Sequence, residues 1–315
     1  MHPAFSVIFF TTASGAGYGL VALLGLGNAL GLVPAASAFG FWGVGIAVAL
    51  ITSGLFASMA HLGHPERAWR ATSQWRTSWL SREGVLALAA YAPIALFGIG
   101  WVFFGATDGL FAIAGLLCAV FAAATVFATA MIYRSLKPIH QWHNALVVPA
   151  YLCIALASGA VLLHALVHVW GRPQPTVGVF AAVAIAVAMF VKERYWRYID
   201  ETRSASTPES ATGLGARGKV RLFEAPHTEE NYLLKEMGYK IARKHAQKLR
   251  NIALNAGFRV PLVLTMLAAS FPGTLALAAS LVAAALLLGG MLVERWLFFA
   301  EAKHSVTLYY GASEV

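Results

Sequence analysis

The sequence has little charge. Only 12% of its 315 residues are Asp, Glu, Lys or Arg, about half the share usual in soluble domains, whereas 59% are apolar and the mean hydropathy is +0.67. This composition excludes an ordinary soluble enzyme, and it excludes a disordered chain, which needs low hydrophobicity and high charge. The apolar residues come in long runs rather than in strict alternation, which argues against a β-barrel. A polytopic helical membrane protein remains.

The sequence is also poor in cysteine. Cys118 and Cys153 both lie within apolar runs and are too few and too far apart for a disulfide scaffold or a zinc site. The sequence has no Cys-x-x-Cys pair, and an iron–sulfur cluster needs about four thiolates. We therefore expect no metal site in this chain.

Eight apolar stretches are each long enough to cross a membrane, which takes about 20 residues. They are predicted at residues 4–27, 38–60, 83–105, 110–132, 145–169, 176–195, 251–271 and 274–298. The first stretch has no basic residues before it and is too long for the core of a signal peptide, so we interpret it as a retained span. The sequence predicts an all-α fold in which residues 1–315 form one integral membrane domain, a bundle of eight helices.

The positive charge lies on one side of these spans. Of the 23 lysines and arginines, Arg172 alone falls in a loop of the opposite side, and Arg259 falls within a span. The rest follow spans 2, 4, 6 and 8, on the side that also holds both termini. The positive-inside rule therefore predicts that the termini and the large loops are cytoplasmic.

The long segment 192–250, predicted as a cytoplasmic loop, has two parts. Residues 203–218 are rich in Ser, Thr, Gly and Ala and are predicted to be flexible. Residues 228–250 are predicted to form an amphipathic helix that begins with Thr228 as its cap. This helix would rest on anionic lipid headgroups or dock a soluble subunit.

Ionisable residues near the spans gather at the same side. His61 ends span 2, Glu83 begins span 3, and Arg259 lies in span 7 on one stripe with Asn251 and Asn255. Each has a structural explanation taken singly, since Arg259 can snorkel and His61 can cap a helix. Their convergence at one depth favours a functional site, because charges within a membrane are costly. A quinol that loses two electrons also loses two protons, so an imidazole or a carboxylate must lie close to its hydroxyls.

Two other classes of membrane protein fit less well. Haem in a bundle needs axial histidines from two helices, and His164 and His168 lie on one helix with no His at that end of another span. A secondary transporter needs polar groups and broken helices at the midplane, whereas these residues lie at the edge.

Two motifs carry a family resemblance. The run HLGHPERA at residues 61–68 and the run SWLSRE at residues 78–83 resemble a loop of the DMSO reductase membrane-anchor family (DmsC-like). The number of spans and the chain length are similar as well, so the resemblance covers essentially the whole chain. The C-terminal runs EMGYKIARKHAQKLR and ERWLFFAEAKHSVTLYYG resemble the anchor of a membrane-bound cytoplasmic sulfite dehydrogenase, a branch of this family.

The resemblance implies a three-subunit oxidoreductase in the bacterial inner membrane. This chain would anchor an iron–sulfur subunit and a molybdopterin catalytic subunit, and it would exchange electrons with quinone or menaquinone without haem of its own. The family pattern places His61 and Glu83 at the quinone, and we add Arg82 or Arg259 as a group that polarises a quinone oxygen. Basic residues predicted to dock the partners are Arg67, Arg70, Arg76, Lys240, Arg243 and Lys244.

The sequence leaves two points open. A DMSO-type reductase oxidises quinol and a sulfite dehydrogenase reduces quinone, and both need the same pocket. A purely structural anchor, or a haem-b quinol cytochrome, is the alternative to a quinone-reactive subunit.

Overall fold

A computed structural model describes residues 4–60, 62–224, 228, 229, 231, 235, 237 and 241–315, with the backbone alone for 241–244. Within these residues, eight helices are long and apolar enough to cross a membrane. We label them α1 (Phe5–Ala29), α2 (Ser37–Met59), α3 (Trp79–Phe103), α4 (Gly109–Arg134), α5 (Val147–Val169), α6 (Pro175–Glu201), α7 (His245–Ser270) and α8 (Thr274–Ala300). The described part of the chain forms no β-strand, and the predicted all-α membrane fold is confirmed.

The helix boundaries differ most from the predicted ones around the long segment 192–250. α6 continues to Glu201, so Lys192 lies inside this helix rather than in a loop. Residues 192–201 contain no Gly or Pro to end the helix. The predicted flexible stretch contains a single-turn helix at Pro208–Thr212 and a 3₁₀ turn at Gly215–Arg217. Helical structure that leads into α7 begins at Ile241, and most of the predicted helix before that residue lies outside the described residues.

The basic loops share one end of the bundle, which we call the charged face. It is the end where α2, α4, α6 and α8 finish and where α1, α3, α5 and α7 begin. Residues 135–146 pack there against the C-terminal segment: the Trp142 indole donates to the carbonyl of Phe298 over 2.9 Å, and the Lys303 amide donates to Gln141 over 3.0 Å. These contacts hold the loop between α4 and α5 against the end of α8.

α1 and α5 form the centre of the bundle. Their most apolar windows are 78% and 67% buried, more than in the other spans, and α1 packs against α2, α4, α5 and α8. Glycines let the central backbones touch, because an added Cβ at Gly19 would overlap the Ala155 carbonyl oxygen. Close packing of this kind replaces the hydrophobic effect as the stabilising interaction between helices in lipid.

α7 contains a short π-helical segment, Asn255–Arg259. Pro261 follows it and lacks the amide proton that a regular helix would donate to the preceding turn. At the same level Gly257 contacts Gly290 of α8, where an added Cβ on Gly290 would overlap the Gly257 Cα. The irregular turn therefore sits where α7 and α8 approach most closely.

Candidate functional site

Glu83 is buried in the first turns of α3. Its exposed fraction is 6%, and its carboxylate accepts a hydrogen bond of 2.5 Å from the Thr129 hydroxyl on α4. The helix begins at Trp79 after Ser78, whose hydroxyl accepts from the Ser81 amide over 3.5 Å. Glu83 therefore lies about one turn from the start of α3 at the charged face, and its side chain is directed into the bundle.

A polar cavity adjoins Glu83. It lies among α1, α4, α5 and α8, and Thr129, the donor to Glu83, forms part of its wall. Other polar side chains in the wall are Thr11, Thr12, Ser14, Tyr18, Tyr151, Ser158 and Arg295. The centre of a water-sized sphere can occupy about 20 Å³ of this cavity. This volume is enough for about one water molecule.

Arg295 is the cation of this cavity. Its exposed fraction is 2%, its guanidinium carbon lies 3.8 Å from the centre of the Tyr151 ring, and its Nε lies 3.4 Å from a carboxylate oxygen of Glu294. Its Nη1 makes no hydrogen bond of normal geometry to any described residue. A buried guanidinium with a free donor favours a polar or anionic group in the cavity.

Lys192 and Glu294 form a buried ion pair between α6 and α8. The distance from Lys192 Nζ to Glu294 Oε1 is 2.5 Å, and the exposed fractions of the two side chains are 1% and 0%. The Lys192 ammonium also lies 4.0 Å from the centre of the Tyr195 ring and 4.8 Å from that of Trp196. The pair explains how both charges can be buried, since each has its partner inside the bundle.

A second ion network lies at the end of α8, closer to the charged face. Arg250 donates to Glu301 over 2.7 Å and to Asp200 over 2.6 Å, and the Trp196 indole donates to the other oxygen of Glu301 over 3.2 Å. Burial raises the pKa of Glu301, an effect that the Arg250 guanidinium partly offsets. The Asp200 side chain is 56% exposed, so this network reaches water.

An apolar groove lies next to the polar cavity on the outside of the bundle. It runs between α1, α4 and α5 and shares Tyr18, Val126 and Ala155 with the cavity wall. Ala123 and Leu156 at its rim are exposed, so the groove opens on the lateral surface of the spans. The centre of a water-sized sphere can occupy about 200 Å³ of the groove.

The structure does not bring the predicted quinone residues together as one cluster. His61 lies outside the described residues. The Arg82 guanidinium is bound within its own loop, where it donates to the carbonyls of Trp75 and Arg76 over 3.0 and 2.7 Å. Arg259 is exposed and pairs with Glu193 over 3.4 Å.

Arg295 is the cation that shares the cavity wall with the Thr129 partner of Glu83. It is not among the residues predicted from the sequence to bind quinone. The available signal was an ionisable residue within the last turns of a span, the same signal that identified Glu83.

The predicted docking residues lie in two places. Arg67, Arg70 and Arg76 belong to the exposed loop between α2 and α3, which includes the 3₁₀ helix Pro65–Thr72. The guanidinium carbons of Arg70 and Arg76 each lie 5.6 Å from the ring centre of the preceding tryptophan. Residue Lys240 lies outside the described residues, and Arg243 and Lys244 are described by their helical backbone alone.

The two histidines of α5 are buried far from this site. His168 contacts the carbonyl oxygens of His164 and Ala268 over 2.9 and 3.2 Å. The described residues contain no cluster of three or more His, Cys, Asp or Glu side chains suited to a metal ion.

The fold and the site together define a multi-pass helical membrane protein with a polar cavity just below a basic, exposed face. The sequence model of the DMSO reductase anchor subunit family (DmsC) matches residues 1–311. A sulfite dehydrogenase subunit from Allochromatium vinosum is 34% identical over 327 aligned positions, which cover 98% of this chain and 99% of that protein. No solved structure matches the chain. The chain belongs to the DmsC family and is a membrane anchor subunit of an oxidoreductase complex.

Proposed function

We propose that this anchor reacts with quinone, and that the reaction takes place where the apolar groove meets the polar cavity. The observation that carries the proposal is the shared wall: Tyr18 lines both spaces, and Glu83 lies one hydrogen bond behind the cavity. A lipid-soluble quinone needs an apolar approach from the bilayer and a polar end for its oxygens. The groove and the cavity offer these two environments side by side.

The residues supply the groups that quinone chemistry needs. Quinol gives up two electrons and two protons when it becomes quinone, and the reverse reaction takes them back. Glu83 exchanges a proton with a quinone oxygen, with His61 as the second proton-transferring group that the family pattern implies. Arg295 faces the same cavity and polarises an oxygen, the role that the sequence suggests for Arg82 or Arg259.

The quinone ring needs more room than the polar cavity offers in this structure. The cavity holds about one water, so the quinone ring lies in the groove with one oxygen directed past Tyr18. Its isoprenoid tail then continues along the exposed rim at Leu156 into the lipid.

The partners sit on the charged face. An iron–sulfur subunit binds the exposed loop with Arg67, Arg70 and Arg76, and it relays electrons between the quinone and a molybdopterin catalytic subunit. The one-sided positive charge supports a cytoplasmic location for this face in the bacterial inner membrane. The full-length similarity to a sulfite dehydrogenase subunit supports sulfite as the electron donor and quinone as the acceptor.

The test compares Glu83→Gln with Glu201→Gln in membranes that contain the whole complex. Glu201 is an exposed carboxylate at the end of α6 and serves as the matched control. We expect Glu83→Gln to lower quinone-dependent turnover by roughly 10² or more. Assembly and turnover with a soluble artificial electron acceptor stay unchanged, because the catalytic subunit is untouched.

Two outcomes would count against the proposal. Wild-type quinone turnover in both Glu83→Gln and His61→Ala would remove these residues from the reaction. Release of the soluble subunits by Glu83→Gln, with no binding of a quinone-site inhibitor to the wild type, would support a purely structural anchor. A haem-b cytochrome would be recognised by the optical spectrum of the purified complex.

A further inference from the structure

We propose that Glu294, Lys192 and Glu301 form a proton route that connects the polar cavity with water at the charged face. The proposal rests on the proposed quinone reaction, which must exchange two protons for each quinone. It assigns a role to three buried ionisable groups, of which two lie within α6 and α8 and the third, Glu301, directly follows α8.

The inner end of the route touches the cavity. Arg295 lines the cavity, and its Nε lies 3.4 Å from Glu294. Tyr151, in the same wall, has its ring centre 3.8 Å from the Arg295 guanidinium carbon. The group at this end that can accept and release a proton is the Glu294 carboxylate, because a guanidinium does not serve as a proton-transferring group in proteins.

The middle of the route is the ion pair between α6 and α8. Lys192 Nζ lies 2.5 Å from Glu294 Oε1 as an ion pair without hydrogen-bond geometry, so a small side-chain rotation aligns an ammonium proton with the carboxylate before transfer. Both side chains are almost fully buried, so no bulk water competes with this transfer. The aromatic rings of Tyr195 and Trp196 surround the ammonium and keep it in place.

The outer end of the route is the network around Glu301. Trp196 lies between Lys192 and Glu301: the centre of its ring is 4.8 Å from the Lys192 ammonium, and its indole N–H donates to Glu301 over 3.2 Å. An indole N–H only donates, so a water molecule must carry the proton between Lys192 and Glu301. Glu301 shares Arg250 with Asp200, whose side chain is 56% exposed.

A structural role alone explains this arrangement poorly. A buried ion pair usually contributes little net stability, because the desolvation of both charges offsets their attraction. Elsewhere the bundle packs with Ala and Gly, and ionisable groups within a membrane generally mark a pathway. Here the charged groups follow one another from the cavity to the exposed Asp200.

The proton balance is simple. When quinone is reduced, two electrons arrive from the iron–sulfur partner, and two protons enter one after the other through Glu301, Lys192 and Glu294 and reach the quinone oxygens with the help of Glu83. When quinol is oxidised, the same protons leave in the opposite direction. The groups of the route return to their starting protonation after each turnover.

The experiment measures quinone turnover of the whole complex in membranes made with H₂O and with D₂O. We expect Glu294→Gln to lower turnover by roughly 10² and to raise the solvent isotope effect, because proton transfer becomes rate-limiting. Binding of a quinone-site inhibitor keeps its wild-type affinity, and Glu294→Asp restores part of the rate. Glu201→Gln, the exposed carboxylate, gives wild-type values.

A second variant guards against misfolding. Glu294→Gln leaves Lys192 and Arg295 buried without a carboxylate. The double variant Lys192→Met with Glu294→Gln removes one charge of each sign, so the net charge of Lys192, Glu294 and Arg295 together is unchanged. We expect the double variant to assemble and to remain slow. Glu301→Gln tests the outer end outside the spans and should show the same isotope effect with a smaller loss of rate.

The results separate the two proposals. Wild-type turnover and isotope effect in an assembled Glu294→Gln or double variant would overturn the route, even if Glu83→Gln is inactive. Wild-type turnover in Glu301→Gln would overturn its outer end. If Glu83→Gln has no effect and the wild type does not bind the inhibitor, the quinone proposal itself fails.

Discussion

The Thr129 hydroxyl donates a hydrogen bond of 2.5 Å to the Glu83 carboxylate across the contact between α4 and α3. We expect Thr129→Val to lower quinone turnover by roughly 10- to 150-fold, since the loss of one hydrogen bond to a charged group costs about 1.5–3 kcal/mol. Thr129→Ser keeps the hydroxyl and should restore the rate. Equal rates for the Val and Ser variants in assembled complexes would show that the hydrogen bond is unimportant.

Tyr18 lies at the junction of the groove and the cavity, and its hydroxyl makes no hydrogen bond of normal geometry to a described residue. Tyr18→Phe should therefore weaken quinone binding, raising KM for a quinone analogue by roughly threefold to tenfold, which is about 1 kcal/mol. The control is Tyr91→Phe, whose hydroxyl is already bonded to Thr52 at 2.7 Å. A KM change in the control but not in Tyr18→Phe would contradict the position of the headgroup.

Two glycines should respond to alanine with opposite signs. An added Cβ at Gly19 meets the Ala155 carbonyl oxygen, whereas one at Gly45, on the exposed side of α2, meets no atom within 4 Å. Gly19→Ala should lower the stability in detergent by about 1–3 kcal/mol or more. Gly45→Ala should raise it by about 0.5–1 kcal/mol through helix propensity. Thermal unfolding of the purified chain measures both, and equal midpoints would contradict the close packing of α1 on α5.

The arginines of the loop between α2 and α3 should hold the soluble subunits by charge. Reversal of Arg67, Arg70 and Arg76 to Glu should release these subunits from washed membranes at salt concentrations that leave the wild type intact. Membrane insertion should not change, because these side chains lie outside the spans. The control is Arg217→Glu in the loop after α6. Release by the control alone would place the docking surface elsewhere.

The stability of the charged face should depend on pH through His140. Burial lowers the pKa of His140 from its ordinary value of 6.5, and the nearby His143 adds to this effect, while the contact with Thr202 opposes it. The unfolded chain therefore binds the proton first as the pH falls, and the stability that neutral His140 contributes above pH 6.5 is lost below it. His140→Gln should show a smaller fall in the unfolding midpoint between pH 7.5 and 5.5. An unchanged fall in His140→Gln, with the wild-type fall in the exposed His64→Gln, would contradict this account.

Much of the fold follows from the sequence because lipid imposes a simple rule. A span must be helical and must contain about 20 apolar residues, so the runs of apolar residues identify the helices. The end of α6 was harder to predict because the run from Lys192 to Glu201 is rich in charged residues, although it contains no Gly or Pro. The burial of the Lys192 side chain depends on its partner Glu294 on α8, which local composition does not reveal.

The site is only partly visible in the sequence. Glu83 stands out because a charge within a span is costly. Arg295 was one of several charged residues near the end of α8, and only the packing of α1, α4, α5 and α8 shows that it faces the cavity. Arg259 satisfied the same cost argument, yet it pairs with Glu193 on the outside of the bundle. The position of a charged residue along a helix can be predicted from the sequence. The side of the helix on which its side chain is buried depends on how the neighbouring helices pack.

The π-helical turn of α7 affects how this helix is compared with the same helix in homologues. A turn of this type holds one residue more than the α-helix on either side, as if a single residue had been inserted. Each residue of an α-helix turns the chain by about 100°, so a homologue without the extra residue would present a different side of the α7 segment that leads to the charged face. Arg259 and Asn255 lie within this turn, where Arg259 Nη1 donates to Asn255 Oδ1 over 3.1 Å. Alignments of α7 across the family should therefore allow a one-residue gap at this turn before equivalent polar positions are compared.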